Sequence, residues 1–462
     1  MDLMRSGGAC GVMLASLLAA CGSETIIEPL QPTYYATEAL PNPNNALAAT
    51  VTIDAARFDS AAVRYWRGGE TARRTPIVTF GSDSTVRIPV LGLDASETYN
   101  LETILYVDGV GVPVDTTSIL TGQRPSWIPQ IGAIGADTTP GFLALSLPEG
   151  GVVVDNTGKV VWYRRMSNGN LNSFQAHANG TWTLLNQEAD TPFHVLNIFG
   201  DEIGTLACDG YPTRFHDVLV LANGDYWIMC DDTRVMDLTD LGGLAAANVT
   251  ATVIQRRTAA GETAFEWSAF DHFALTDLPA SERMGPNVNF THGNSLAIDS
   301  DGNLIASFRS LSEVTKIDVV TGEVMWRLGG LANEFTFLND PKGFFERQHG
   351  VRVAGPSEIQ LLDNGSGAPS RAVRYLLNPQ LRTALLVMNF VDAPSTFTFV
   401  GGATDYYPTG HSLVSFGQAG RVIEMDPAGN RAWELTGLDG IYVFRGERIS
   451  DLYRPTPLTR TR

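Results

Sequence analysis

A short piece recurs along most of this chain: a polar turn, a glycine, then a tryptophan. It reads DNTGKVVW, GETAFEW, DVVTGEVMW and DPAGNRAW. The tryptophans Trp162, Trp267, Trp326 and Trp433 fall one or two steps apart on a period of about 54 residues. Degraded copies at Gly204-Thr205-Leu206 and Leu386-Val387 occupy the missing steps. A second piece is a turn followed by an apolar strand: GFLALSL, NGTWTLLN, NGDYWIMC, DGNLIASF, SEIQLLDNG and GHSLVSFG. Six copies of each mean six units. A unit of about 50 residues holding four short strands cannot cover its own apolar faces, so it stacks on the next, and six close into a ring around a channel. The expectation is an all-β chain whose residues 135–460 form a six-bladed β-propeller, with the terminal ISDLYRP returning to complete a blade.

The stretch before the ring divides in three. Arg5 precedes the apolar run VMLASLLAA, which is too short to span a membrane. That run ends in Leu18-Ala19-Ala20-Cys21, which resembles the lipobox of bacterial lipoproteins. The resemblance implies a signal peptide over 1–20, a lipid on Cys21 and an exported lipoprotein. Gly22 in the next position favours the outer membrane, with the chain facing the periplasm. Residues 21–46 are rich in proline and asparagine and read as a tether. Residues 47–126 read as short alternating strands, and GLDASETYNLETILY resembles a fibronectin type III domain. In such a β-sandwich a tyrosine bonds back to the preceding corner, and Tyr99 takes that place.

Composition excludes several classes. The chain is 44% hydrophobic and 18% charged, which rules out a disordered polymer. Its formal net charge of -18 argues against a nucleic-acid partner, which needs basic surface. A few local cations can still oppose that field for a small anion. The spacings of zinc sites and calcium loops do not occur: DSDGN at Asp299–Asn303 has Ser310 where a calcium loop needs a glutamate, so it reads as a hairpin turn. No metal and no cofactor are expected. Cys208 and Cys230 either pair, as thiols of exported chains tend to, or stand as two buried thiols.

The histidines carry the chemistry. His216, His292 and His349 each precede the turn-strand piece, which places them on innermost strands of successive blades, facing the channel. Three imidazoles at one repeat position form a candidate site. His177 and His411 fall in turns, His272 in an insertion and His194 on a middle strand. Arg309, ending DGNLIASFR, and Arg371, after DNGSGAPS, add guanidiniums suited to a tetrahedral oxyanion.

The strings TPGFLALSL, FHDVLVLANG, HGNSLAIDSDGNLIASFRS, QHGVRV, IQLLDNGSG and SRAVRY resemble, in this order, the bacterial arylsulfate sulfotransferases. The resemblance implies a six-bladed propeller with a small N-terminal β-domain. It implies transfer of a sulfuryl group from a phenolic sulfate donor to a phenol acceptor, without a nucleotide, through a transiently sulfated histidine. His292 in HGNS, His349 in QHG and Arg371 in SRAV match helper residues of the family; Asn294, His216 and Arg309 are read as substrate contacts. The family's sulfated histidine follows a glycine-rich run in the last blade. SFGQAGRVIEMD stands there, with Gly420 or Arg421 at the aligned place, and His411, one strand earlier, is the only nearby histidine. The competing reading is a non-catalytic propeller binding an anionic ligand or a protein at the cell surface.

Overall fold

The computed structural model describes residues 34–166, 171–186, 191–367 and 369–458. Cys21, the signal peptide and the start of the tether lie outside the described residues. The described residues are all-β, with one four-residue α-helix, Ala269–His272, and short 3-10 turns. It divides into two compact units at Ile128 and Pro129.

In the first unit, Tyr34–Pro41, Ala49–Ala56 and Thr85–Val90 form one sheet. Arg73–Arg74, Ser60–Trp66, Thr98–Val107 and Val110–Leu120 form the other, with Val78–Thr79 on its edge. Alternate residues face inward, as a period of two requires: Val51 and Ile53, Val63 and Tyr65, Tyr99 and Leu101. The Tyr99 hydroxyl accepts from the Asp94 amide and donates to its carboxylate, both at 3.1 Å. The tether expectation is corrected from residue 34 onward. Tyr34–Pro41 pairs along its full length with Ala49–Ala56. The asparagines of the intervening PNPNN make turns: Asn42 Oδ1 accepts from the Asn44 amide at 2.8 Å, and Asn45 Oδ1 from the Leu47 amide at 3.0 Å. What reads as low complexity is turn chemistry.

The second unit holds six consecutive antiparallel sheets of four strands each, apart from short additions. Their first strands are Gly446–Ile449, Leu171–Ala176, Thr213–Val220, Gly293–Ile298, His349–Gly355 and Ala403–Tyr406. Each first strand contacts the next, and Ala403–Tyr406 contacts Gly446–Ile449, so the series closes on itself. Closure comes from both ends of the unit. Gly446–Ile449 pairs with Phe142–Leu147 of the first sheet, and Gly132–Ile134 pairs with the last strand of the sixth. The closing strand begins just upstream of ISDLYRP; Ile449 ends it, and the chain then folds back to bridge Pro457.

The repeated pieces take fixed places. Trp162, Trp267, Trp326 and Trp433 all lie on fourth strands, each buried against its neighbours, and the degraded copies lie on the fourth strands of the second and fifth sheets. All six turn-strand pieces are second strands. Cys208 and Cys230 form a disulfide with Cα atoms 6.0 Å apart. Asp299–Asn303 is a hairpin turn closed by its own backbone, with Lys316 on its two aspartates.

Candidate functional site

First strands meet at the middle of the second unit, and what they bring there is charged. Asp217, Arg352, Asp405 and Glu447 lie on four of these strands, and Arg445 directly precedes one. Arg445 donates to Asp217 at 2.9 Å; Arg352 lies 3.7 Å from Asp217 and 3.4 Å from Asp405. The remaining strands join through their backbone and amides: Leu296 N and Gln175 Nε2 bond to Asp217, and Ala176 N to Glu447. Three buried carboxylates share two guanidiniums. Burial raises Asp405 to about 6 and Glu447 to about 7, whereas Arg445 and Arg352 overcome burial at Asp217 and hold it low. Beyond this layer, where the first strands turn back, lies a cavity of about 490 Å³ lined by His177, Leu219, Ile298, Arg352 and Glu447.

The three predicted histidines lie at the other end of the strands. His349 opens its strand, His292 immediately precedes Gly293, and His216 sits where Thr213–Val220 departs from regular pairing. His216 lies 4.9 Å from His292 and 6.5 Å from His349 between ring centres, with Phe444 at 6.1 Å. The HG pair has a steric origin at His349: Gly350 has φ +62°, and a Cβ there would lie 2.5 Å from Ala403 Cα on the adjacent strand. His292 itself holds a left-handed φ of 51°, the kind of strained conformation found at functional sites.

Burial holds all three imidazoles neutral. It lowers His349 to about 4 against the opposing bond from Asn364, and it drives His216 and His292 well below 6.5 with help from Arg214. The ring nitrogens differ. Asn364 gives its amide hydrogens to the carbonyls of Thr398 and Gly401, at 2.9 and 3.0 Å, which turns Oδ1 toward His349. His349 Nδ1 therefore donates to Asn364 Oδ1 at 2.8 Å, and Nε2 keeps a lone pair. At His292 the order reverses: Nδ1 accepts from the Asn289 amide at 2.6 Å, so its proton sits on Nε2. His216 Nδ1 is buried without a partner among the described residues.

Arg309 completes the cluster. Its amide bonds to the His292 carbonyl at 3.0 Å, and its guanidinium stands 4.9 Å over the Phe399 ring and donates to the Phe399 carbonyl at 3.4 Å. Buried, with Nε unpartnered and no carboxylate bonded to it among the described residues, it is lowered to about 10 by burial and by Arg347. Arg347 is itself paired with Glu282 at 2.6 Å, and Arg214 with Asp231.

Three of the expected residues make their contacts elsewhere. Arg371 does not join the histidines. It lies on the third strand of its sheet, where its guanidinium is consumed by Asp340, Asp363 and the Phe344 carbonyl, bracing the segment that leads to His349. Asn294 is buried, and its amide donates to the Gln348 carbonyl at 2.7 Å, tying two adjacent first strands. His411 lies in the turn after Ala403–Tyr406, at the far end of the strands, 3.1 Å from Asp137. Sequence reasoning missed Arg214, Asn364 and Phe399. Asn364 stood in the DNGSG turn beside a recognised motif, but its use depends on a contact across the sheet.

A buried guanidinium with no carboxylate bonded to it among the described residues stands beside three neutral imidazoles on an all-β scaffold, an arrangement able to bind an oxyanion. The family model of arylsulfotransferases (ASST) matches residues 168–437, more than half of the chain, and the protein belongs to this family. No curated protein matches it. Among solved structures it is similar to a protein of unknown function from Bacteroides caccae, at 13% identity over 67% of this chain and 98% of that one, with a TM-score of 0.43. It is also similar to virginiamycin B lyase from Staphylococcus aureus, at 12% identity over 66% and 87%, with a TM-score of 0.36.

Proposed function

We propose that this protein transfers a sulfuryl group from a phenolic sulfate ester to a phenol, without a nucleotide donor, at the His216–His292–His349–Arg309 cluster. The observation that carries the reading is Arg309. A buried guanidinium without a carboxylate is costly to keep, and a bound sulfate supplies the missing charge. The scaffold reads as a six-bladed β-propeller with the cluster at one mouth of its channel. The strand order and Tyr99 corner of the first unit suit a fibronectin III-like spacer, and the lipobox at Cys21 suits a lipoprotein facing the periplasm.

Sulfuryl transfer passes through a loose in-line transition state, so positioning and charge stabilisation dominate. Arg309 holds the non-bridging oxygens, and Phe399, exposed although the guanidinium lies over its ring, offers apolar surface beside them for the arene. An arriving anion favours the protonated imidazole, so His292 becomes charged as substrate binds, the exposed Asn289 turns its side-chain oxygen to the new Nδ1 proton, and Nε2 can protonate the departing phenolate. The test is release of phenolate from a chromogenic aryl sulfate and sulfation of an added phenol, both lost in Arg309→Ala. Binding of the aryl sulfate without turnover would select the non-catalytic reading instead.

A further inference from the structure

Resting on the sulfuryl-transfer reading, we propose that His349 is the covalent nucleophile and that Asn364 is the positioning residue that makes it one. A nucleophilic imidazole must present an unprotonated nitrogen with its other nitrogen protonated and held. Only His349 in the cluster meets both conditions. Its Nδ1 proton is directed to Asn364 Oδ1 at 2.8 Å, with the Arg347 carbonyl at 3.1 Å as a second acceptor. Nε2 makes no hydrogen bond among the described residues. His292 carries its proton on Nε2 and is a donor; His216 has no partner to fix either tautomer.

Asn364 cannot rotate to offer its nitrogen instead, because that would break two bonds to Thr398 and Gly401. An amide oxygen accepts a hydrogen bond but does not take the proton away, so the ring remains a neutral base before attack and bears positive charge after it. In the first step the Nε2 lone pair forms an N–S bond while the S–O bond to the arene breaks. That electron pair goes to the phenolate oxygen, which takes the proton from the His292 imidazolium. In the second step the acceptor phenol returns a proton to His292, its oxygen bonds to sulfur, and the N–S bond breaks to restore the Nε2 lone pair.

The experiment mixes the full protein with a chromogenic aryl sulfate and no acceptor. It follows phenolate release in the first turnover and maps any sulfuryl-sized mass increase to a peptide. The expected result is a burst of one phenolate per protein and an adduct on the His349 peptide, both absent in His349→Gln. Asn364→Asp places a charge beside Nδ1 and should move the acid limb of kcat/KM upward from near pH 4. Asn364→Ala should lower kcat by roughly 10²-fold with little change in KM. A purely structural asparagine would leave the pH profile in place. Transfer without burst or adduct, or an adduct on another residue, overturns the assignment and leaves the sulfotransferase reading standing. No turnover and no adduct overturns both.

Discussion

Asn364 accepts the Nδ1 proton of His349 at 2.8 Å while its own amide hydrogens are committed elsewhere, so the proton position on a buried imidazole is dictated from the neighbouring strand end. A carboxylate in the same place would raise the imidazole toward its protonated form and silence it at neutral pH. The neutral amide orients without charging, which suits a site where Arg309 stands charged with no carboxylate bonded to it among the described residues.

Arg309→Ala should reduce kcat/KM for an aryl sulfate by about 10²–10³-fold, the range for removal of one preorganised oxyanion donor. Arg309→Lys should recover part of this, because an ammonium supplies the charge but not the planar fork. Steady-state kinetics across the three proteins checks both outcomes; equal activity would remove Arg309 from the site.

Arg371→Ala should act through stability. It strips the main cation from Asp340 and Asp363, whose side chains are 0% and 1% exposed, so a loss of about 3–5 kcal/mol is expected. Denaturant unfolding measures it. Full stability with lost transfer would return Arg371 to the role its motif suggests.

His411→Ala should leave transfer within about 2-fold of the parent, since among the described residues Asp137 alone is bonded to that ring and the histidine cluster lies one strand length, ~13 Å, away. A first-turnover assay distinguishes this from a nucleophile, whose loss would abolish the burst.

Stability should rise with pH between about 4.5 and 6. The unfolded chain takes protons on histidine near 6.5, whereas folded His349 does so at about 4, His177 at about 3, and His216 and His292 well below 6.5. The unfolded state therefore binds more protons from these four groups, and His349 alone contributes on the order of 3 kcal/mol that is lost as pH falls from 6.5 to 4. Asp405, Glu447 and Glu313 are raised and work in the opposite direction, but three groups offset only part of four. Urea midpoints measured at pH 4.5 and 6 give the sign directly.

The recurring tryptophans marked fourth strands and the turn-strand pieces marked second strands, because both are local consequences of a repeated register. His216, His292 and His349 were legible for the same reason. The difference between Arg309 and Arg371 was not. It depends on whether a carboxylate such as Asp340, about 30 positions upstream of Arg371, folds against the guanidinium. The strand Tyr34–Pro41 was hidden because its turn is built from prolines and asparagines that also make tethers.

The closing strand Gly446–Ile449 comes last along the chain. Phe444 and Arg445, which border His216 and hold Asp217, arrive on the same segment that seals the ring. Along the chain, every strand of the other five sheets, and His216, His292, His349 and Arg309, precede this segment. One segment thus completes both the surroundings of the histidine cluster and the closed series of sheets.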